Sequence, residues 1–221
     1  MDLPLPPEND MQLVCGFQPN VAEVFIQRGQ EIVLRLREQG LLTDQTRLLD
    51  IGCGCGRIAR WLVKEPLATY VGFDRHPGMI DWCKTHLTAR DPRLTFDFVD
   101  VVSHSYGTID GHTGHQAASG LRFPYADAAF DAALAASVFT HMPLAETAHY
   151  LHELRRVLRP GGIALVTVFF ADNEETRDNA LNFFYVPELF FAAVTAAGFT
   201  WQAQPQREGS LQQWFALSTS R

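Results

Sequence analysis

The chain of 221 residues has a length that suits one domain, or one domain with a small cap, and its 47% hydrophobic content allows a large core. The net charge of −7 argues against a dedicated nucleic-acid-binding protein, which usually presents a basic surface. The first residues lack the basic and apolar regions of a signal peptide, and no apolar run approaches the roughly 20 residues of a membrane span. We therefore expect a cytoplasmic protein without nucleic-acid or membrane partners, and the sequence leaves its oligomeric state open.

The four cysteines indicate neither disulfides nor a metal centre. Cys53 and Cys55 lie within a glycine-rich segment, where a crosslink or a metal ion would block the turn, and their spacing is not that of a zinc site. We expect Cys15, Cys53, Cys55 and Cys83 to be reduced thiols.

The N-terminal part of the chain predicts an arm followed by a helix. Residues 1–19 are rich in proline and are expected to be irregular. Apolar residues then recur at helical spacing, Asn20 and Glu23 have the spacing of a capping box, and Gly40 marks the helix end. We expect residues 1–40 to form an arm and a capping helix, which either covers the sheet or acts as a lid over a ligand.

A strand, a glycine turn and a helix are predicted next. The apolar run Leu48–Ile51 is followed by Gly52, Gly54 and Gly56, which alternate with small residues before a helical pattern over Arg57–Lys64. Glycine can adopt positive φ and lets a ligand approach the main chain, and the first N–H groups of the following helix are unsatisfied. The turn is therefore expected to bind a ligand through main-chain groups.

Acidic residues indicate what this turn binds. The segment reads D-x-G-x-G-x-G, unlike the G-x-G-x-x-G dinucleotide fingerprint, and the carboxylate of Asp50 at the strand end disfavours a pyrophosphate and suits a cationic ligand. The next two predicted strands, Tyr70–Phe73 and Leu94–Val99, are likewise followed by Asp74 and Asp100. Because ligands of open α/β sheets bind beyond the carboxyl ends of the strands, three acids in register favour a ligand site.

The second of these acids has the position expected for a ribose contact. Asp74 follows the glycine turn at the spacing at which an acid meets a ribose, and a carboxylate can accept both hydroxyl protons of a diol. A helix is predicted from Pro77 to about Thr88. Met79 and Ile80, at its start, can pack on an adenine ring or in the core, and the sequence leaves both interpretations open.

The segment Ser103–Arg122 is too long for an ordinary connection and is rich in Gly, Ser, Thr and His. Its histidines, His104, His112 and His115, could suggest a metal site, but His112 and His115 lack a carboxylate or cysteine partner nearby, so a mobile loop beside the active site is favoured. We expect no metal ion in this protein.

The rest of the chain continues the alternation of strands and helices. The predicted elements are a strand Phe130–Ala135, a helix Leu144–Leu158 ended by Arg159–Gly162, a buried strand Ile163–Phe170, a polar loop Ala171–Arg177, a helix from Pro187 to Gly198, and a closing hairpin of Phe199–Ala203 and Gln213–Ser218.

Three of these segments, Leu48–Arg60, Tyr70–Asp74 and Leu158–Gly162, resemble the class I S-adenosylmethionine-dependent methyltransferases. The resemblance covers residues 41–218 and implies a single three-layer Rossmann-like α/β domain, which we place at residues 41–221. It implies a mostly parallel, seven-stranded sheet whose last strand is antiparallel, and S-adenosylmethionine as the cofactor.

The resemblance also implies which residues contact the cofactor. They are Asp50, Gly52, Cys53, Gly54, Gly56, Arg57, Asp74, Arg75, Met79, Asp100, Val101 and Ser137. In the family, the acid at the position of Asp100 accepts a hydrogen bond from the adenine amino group, and the next main-chain N–H donates to the ring. Residues 137–142 would lie where the methyl group points. There His141 either takes the proton of an oxygen or nitrogen acceptor, as a catalytic base, or hydrogen-bonds the loop after the fourth strand.

The expected reaction is methyl transfer to an oxygen, nitrogen or carbon atom of a small molecule by in-line displacement. The acidic balance and the lack of an Asn-Pro-Pro-Tyr-type motif favour a small acceptor. The alternatives are a methyltransferase acting on protein or RNA, a non-catalytic cofactor-binding module, and a nicotinamide oxidoreductase. The arm, the Ser103–Arg122 loop and the aromatic residues Phe183–Tyr185 are expected to build the acceptor pocket.

Overall fold

The computed structural model describes residues 3–103, 105, 111–173, 175–177, 182–206 and 210–220. His104, one of the histidines considered as a metal ligand, lies outside the described residues. The chain forms two compact units, Met1–Val99 and Asp100–Arg221, each of which has its own strands and helices.

The first unit is built on three parallel strands. Its elements are α1 (Glu8–Cys15), α2 (Val21–Glu38), β1 (Arg47–Ile51), α3 (Ala59–Leu62), β2 (Thr69–Asp74), α4 (Pro77–Cys83), a π-helical turn (Lys84–Thr88) and β3 (Leu94–Phe98). Strand β2 lies between β1 and β3, with Leu49 opposite Val71 and Val71 opposite Thr95. The predicted strands and the helix beginning at Pro77 are confirmed, whereas the helix after the glycine turn is shorter than expected.

The N-terminal arm is more ordered than its proline content suggests. The prediction that residues 1–19 are irregular was wrong, because α1 forms there and buries Met11 and Cys15, which are one helical turn apart. Both side chains join an apolar cluster with Phe25 of α2. The helices α1 and α2 therefore belong to the same compact unit as β1–β3, and a domain boundary at residue 40 stays a prediction.

The start and end of α2 differ in how well the sequence predicts them. Gly40 has a φ of 66° and ends the helix as expected. The capping box was wrong, because the Asn20 side chain makes no capping hydrogen bond. Its backbone has a ψ of 36°, whereas a residue that caps through its side chain is normally extended.

The second unit contains the remaining strands. Its elements are a 3-10 turn (Ala118–Gly120), β4 (Phe130–Ala135), a 3-10 turn (Phe139–His141), α5 (Leu144–Val157), β5 (Leu158–Phe170), β6 (Thr176–Arg177), β7 (Phe183–Tyr185), α6 (Pro187–Ala196), β8 (Phe199–Ala203) and β9 (Gln213–Thr219). Strand β5 is parallel to β4, and β9 is antiparallel to both β5 and β8. The closing hairpin and the antiparallel last strand are confirmed.

Two loops of the second unit differ from the prediction because they pair as strands. The segment Arg159–Gly162, expected to separate helix and strand, belongs to β5, where a register shift opposite Phe130–Ala132 accommodates it. A side chain at Gly162 would place its Cβ 2.9 Å from the carbonyl oxygen of Arg159, so the bulge needs glycine there. The expected loop before β7 contains β6, which pairs antiparallel with β7. The α/β class with mostly parallel strands is confirmed, and β6 and β7 add to the seven strands expected.

Candidate functional site

The glycine turn after β1 has the conformation that its sequence predicts. Gly52, Gly54 and Gly56 have φ values of 68°, 54° and 76°, all in the left-handed region that side chains disfavour. The N–H groups of Gly52 and Cys53 both donate to the carbonyl oxygen of Phe73, at 2.9 and 3.1 Å, which joins the turn to the end of β2. Of the three glycines only Gly52 is exposed, so its main chain, which carries no side chain, is accessible from solvent.

The other two glycines are needed because protein atoms lie against them. A Cβ at Gly56 would lie 2.4 Å from Cδ1 of Leu87, in the π-helical turn after α4. A Cβ at Gly54 would lie 2.8 Å from Cγ2 of Val14, in α1. The turn is therefore packed tightly between α1 and the segment after α4.

Asp74 is the acid that connects the turn to the end of β2. Its carboxylate accepts hydrogen bonds from the main-chain N–H of Gly54 at 2.8 Å and of His76 at 2.9 Å. The side chain is half-buried, and burial raises the pKa of Asp74 although both donors and nearby cationic side chains oppose the shift. A carboxylate offers about four lone-pair positions, so two positions remain for the hydroxyls of a diol.

Asp50 occupies a different environment from the one expected of a ligand contact. It lies within β1 opposite Gly72 and is 1% exposed, and its carboxylate accepts a hydrogen bond from the hydroxyl of Tyr70 at 2.7 Å. Burial raises the pKa of Asp50 to about 7, although the Tyr70 hydroxyl and the Arg57 charge lower it. The structure thus covers this carboxylate with protein atoms, and direct contact with a cationic ligand stays a prediction.

Arg57 and Cys53, also expected at the cofactor, are buried in the turn. The guanidinium of Arg57 donates to the carbonyl oxygen of Val14 at 3.3 Å, near the end of α1. Its Nε has no hydrogen-bond partner among the described residues. Arg57 therefore holds α1 against the turn, because a cation at a helix C-terminus interacts favourably with the last carbonyl groups. All four cysteines are buried free thiols, as expected, and burial raises the pKa of Cys53 well above its ordinary value.

Two expected cofactor residues follow β2. Arg75 is half-buried beside Asp74, whereas Met79 is 4% exposed and packs in the apolar cluster with Met11, Phe25 and Cys55. The structure thus gives Met79 the core environment that was its alternative interpretation, and its contact with a ligand stays a prediction.

In the second unit, Asp100 lies beside two histidines. Its carboxylate oxygens lie 3.2 Å from Nε2 of His112 and 2.5 Å from Nδ1 of His115. The expectation that these histidines lack a nearby carboxylate was wrong, because the pairing of Val101 with Gln116 brings the loop back to Asp100. The His115 hydrogen bond, with the two imidazoles, lowers the pKa of Asp100. Among the described residues no group of side chains has an arrangement that could hold a metal ion.

Ser137, directly after β4 and Ala136, has a strained backbone. Its φ of 65° is left-handed, which costs a residue other than glycine about 1–3 kcal/mol. Two hydrogen bonds maintain it in the described structure: its N–H donates to Oγ1 of Thr167 at 2.7 Å, and its Oγ accepts from Nε2 of Gln212 at 2.9 Å. Strain that the surrounding structure imposes in this way is typical of functional positions.

The expected catalytic base, His141, lies in the 3-10 turn that follows. The hydroxyl of Tyr185 holds this turn, because it hydrogen-bonds the carbonyl oxygen of Phe139 and lies 2.7 Å from that of Met142. The main-chain carbonyl of His141 accepts from the hydroxyl of Ser105 at 3.2 Å. Thr140 is fully buried, and its Oγ1 has no hydrogen-bond partner among the described residues.

Sequence motifs do not reveal all the residues that support this region. Tyr185 was expected in the acceptor pocket, whereas Thr167 and Gln212 belong to no motif, and each contacts Ser137, which is distant in sequence. Their only sequence signal is a polar side chain inside or beside an apolar strand.

None of the helices in the described part of the chain has the length and apolar character that crossing a lipid bilayer requires.

Comparison with known families identifies this arrangement. The family model of a methyltransferase domain matches residues 49–166, which is more than half of the chain. The matched part includes the glycine turn, Asp74, Asp100 and Ser137. The chain belongs to the class I S-adenosylmethionine-dependent methyltransferases. The cofactor of this family is S-adenosylmethionine, as expected, and membership argues against the nicotinamide oxidoreductase.

Two curated relatives of the methyltransferase are similar over part of their length. Methyltransferase GfsG from Streptomyces halstedii is 26% identical over 66% of this chain and 47% of its own. The 2-methyl-6-phytyl-1,4-hydroquinone methyltransferase from Synechocystis sp. is 30% identical over 77% of this chain and 47% of its own. The chain therefore spans about half the length of the curated relatives that it matches.

A solved structure shows the same fold over the whole chain. The Burkholderia thailandensis 1,6-didemethyltoxoflavin-N1-methyltransferase, with bound 1,6-didemethyltoxoflavin and S-adenosylhomocysteine, is 17% identical. It aligns with a TM-score of 0.58 over 100% of this chain and 94% of its own. At this identity the likeness establishes the Rossmann-like methyltransferase fold and no more.

Proposed function

We propose that this chain transfers a methyl group from S-adenosylmethionine to an oxygen, nitrogen or carbon atom of a small molecule. The observation that carries the proposal is the glycine turn, in which the exposed main chain of Gly52 lies next to the Gly54–Asp74 hydrogen bond. Bare main chain and a carboxylate with free lone pairs suit a ligand that carries an ammonium group and a ribose diol. Family membership supports the same cofactor.

The residues of the turn fit the cofactor in distinct roles. The exposed main chain at Gly52 would lie against its methionine part, and Asp74 would accept from the ribose hydroxyls. Asp50, whose pKa burial raises to about 7, would favour the positively charged cofactor in its ionised form. Asp100 and the N–H of Val101 would meet the adenine ring, and in that role Asp100 would share its carboxylate with His112 and His115.

The reaction needs alignment more than a strong catalytic group. When bound, S-adenosylmethionine supplies a methyl carbon that its positively charged sulfur activates. A lone pair of the acceptor forms the new bond to this carbon, the electron pair of the carbon–sulfur bond goes to sulfur, and a proton leaves the acceptor. We assign acceptance of that proton to His141, because its turn is held rigid by Tyr185 and an imidazole can accept a proton near neutral pH.

A small acceptor is supported by the charge of the protein and by its relatives. A net charge of −7 disfavours an RNA acceptor. Two similar proteins are methyltransferases named for a hydroquinone and for 1,6-didemethyltoxoflavin, which are both small molecules. We also propose a cytoplasmic location, because four buried free thiols suit a reducing compartment.

The test combines binding with turnover. We expect calorimetry to detect binding of S-adenosylmethionine and S-adenosylhomocysteine, but not of NAD. Incubation with S-adenosylmethionine labelled in the methyl group, and with pools of small metabolites, protein or RNA, then identifies the acceptor class. Labelling of protein or RNA alone would contradict the small acceptor, and binding without any labelling would favour a non-catalytic module. Binding of NAD in place of S-adenosylmethionine would overturn the proposal.

A further inference from the structure

Two aromatic rings stack on each other at the carboxyl end of β5. The rings of Phe169 and Phe184 are nearly parallel, with centroids 5.1 Å apart and an interplanar angle of 24°. Both residues are half-buried. The two residues are direct partners in the parallel pairing of β5 with β7. We call Phe169 and Phe184 the aromatic shelf.

Register places the aromatic shelf beside the strained residue Ser137. Residues two apart in a strand share a face, so Phe169 lies on the same face of β5 as Thr167. Oγ1 of Thr167 accepts a hydrogen bond from the N–H of Ser137. The shelf and Ser137 are therefore on one face of the sheet, at the same end of β5.

Gln212 approaches the same end of β5 from the opposite direction. Val168 is paired with Gln213 in the antiparallel β5–β9 register, so Gln212 and Phe169 lie just beyond that pair. Nε2 of Gln212 donates to Oγ of Ser137 at 2.9 Å. This contact spans a long sequence separation, which motif-based reading of the sequence cannot detect.

The polar pair beside the shelf has both a donor and an acceptor left over. The carboxamide oxygen of Gln212 and the hydroxyl proton of Ser137 have no hydrogen-bond partner among the described residues. A hydroxyl group needs one acceptor for its proton and one donor for its oxygen, and this pair offers both. A ring that carries such a hydroxyl would lie with its face on the shelf, because aromatic rings favour offset stacking at centroid separations of about 4.5–7 Å.

We infer that the methyl acceptor of this protein is a planar hydroxylated aromatic ring, bound by the aromatic shelf and oriented by Gln212 and Ser137. This inference rests on the proposed function and specifies its substrate class. In the transfer, an oxygen lone pair of the ring hydroxyl forms the oxygen–methyl bond, the carbon–sulfur pair goes to sulfur, and the hydroxyl proton goes to the imidazole of His141, the base in the proposed function. The product is an aryl methyl ether and S-adenosylhomocysteine.

A matched pair of probes tests the planarity of the acceptor. Benzene-1,4-diol and cyclohexane-1,4-diol carry the same hydroxyls on a flat and on a saturated ring. We expect the protein saturated with S-adenosylhomocysteine to bind the aromatic diol at least tenfold more tightly by calorimetry, and labelled S-adenosylmethionine to methylate only that diol. Equal affinity for the two diols would overturn the inference.

Variants then assign the effect to the shelf. Phe184→Leu should lower the affinity for benzene-1,4-diol about fivefold, because the variant loses the aromatic face on which the ligand ring would stack. The matched control is Phe191→Leu, since Phe191 is another half-buried phenylalanine, stacked on Trp201 in the aromatic cluster of α6 and β8. This control should change the affinity less than twofold. Equal losses in the two variants would overturn the assignment.

A third variant separates the hydroxyl contact from the ring contact and guards against a folding defect. Gln212→Leu should lower the affinity for benzene-1,4-diol but leave that for 1,4-dimethoxybenzene, which has no hydroxyl proton, unchanged. An equal loss for both probes would contradict the role of Gln212. Binding of S-adenosylmethionine is measured for every variant. If the unmodified protein binds S-adenosylmethionine but not benzene-1,4-diol, this inference alone is overturned. If it binds neither, the proposed function is overturned as well.

Discussion

The two units of this protein place different chemistry in their candidate sites. In the first unit, Met1–Val99, the site is mostly main chain: glycines in the left-handed region, and carbonyl and N–H groups joined to the carboxylate of Asp74. In the second unit, Asp100–Arg221, it is mostly side chains from distant segments, such as Ser137 and Gln212. A main-chain site suits a ligand that is constant across a family, whereas side chains can vary with the acceptor. The variants below test this comparison.

The largest expected effect concerns the buried carboxylate of the first unit. The raised pKa of Asp50 means that the folded protein holds a proton between pH 3.8 and about 7, where the unfolded chain has lost it. Its contribution to the free energy of unfolding is therefore fully present below about pH 4 and is lost as the pH rises to 7. At about 1.4 kcal/mol for each unit of pKa, the loss is about 4 kcal/mol.

Asp50→Asn should remove this pH dependence, because asparagine has the same shape and can accept the Tyr70 hydrogen bond. Urea unfolding at several pH values gives the free energy of unfolding of both proteins. Between pH 4 and pH 8 this free energy should rise for the variant, relative to the unmodified protein, by about 4 kcal/mol. Asp81→Asn, on the exposed face of α4, is the control and should follow the unmodified protein. Parallel curves for Asp50→Asn would show that its pKa is ordinary.

The second variant tests whether the glycine turn depends on its packing. Gly56→Ala adds a Cβ that meets Cδ1 of Leu87 at 2.4 Å, at a φ of 76°. Left-handed strain and overpacking together should lower the free energy of unfolding by about 3 kcal/mol. Gly40→Ala has a similar φ of 66° with no atom within 4 Å, so it should lose only about 1 kcal/mol. Equal losses in urea unfolding would mean that backbone strain alone matters at Gly56.

The third variant concerns the second unit, where side chains should affect turnover rather than cofactor binding. His141→Ala should lower turnover about 100-fold if the imidazole is the base, since general base catalysis contributes about 100-fold or more. Affinity for S-adenosylmethionine should not change. His152→Ala, exposed on α5, is the control. Unchanged turnover of His141→Ala would leave His141 only a structural role in its turn.

The same comparison explains how much the sequence could predict. The glycine turn and Asp74 were predictable because a main-chain site requires glycine at particular φ values and an acid at the end of a strand. The burial of Asp50 was not, because it depends on the Tyr70 side chain from the neighbouring strand. Local sequence indicates the residue type at a strand end but not the cross-strand contacts that decide its exposure.

In the second unit, local sequence predicted the strands but not their support. In the first unit, the helix α1 could not be predicted for a related reason. Its stability depends on burying Met11 and Cys15 against α2 rather than on local propensity. The Asp100 contact with His112 and His115 depends on how the intervening loop returns. The aromatic residues Phe183–Tyr185 are visible in the sequence as a cluster. Their pairing with β5 is not, because it depends on the three-dimensional register of the strands.

The smallest expected effect, on ligand affinity alone, concerns Asp74. Asp74→Asn removes the charge and keeps one acceptor oxygen, so one of the two main-chain donors, Gly54 or His76, faces an NH2 group, and the remaining hydrogen bonds, including those from a ribose diol, become neutral ones. Hydrogen bonds to charged groups contribute about 1.5–3 kcal/mol and neutral ones about 1, so affinity for S-adenosylmethionine should fall about tenfold.

Calorimetry measures that affinity, and adenosine and methionine as separate ligands show which half of the cofactor is affected. If Asp74 meets the ribose, adenosine binding should weaken and methionine binding should not, whereas Asp81→Asn should change neither. Because the Gly54–Asp74 hydrogen bond also shapes the turn, a loss for both halves would show that Asp74 acts by holding the main chain in place. The first unit would then bind its ligand through main chain alone, and its contrast with the side-chain site of the second unit would be sharper.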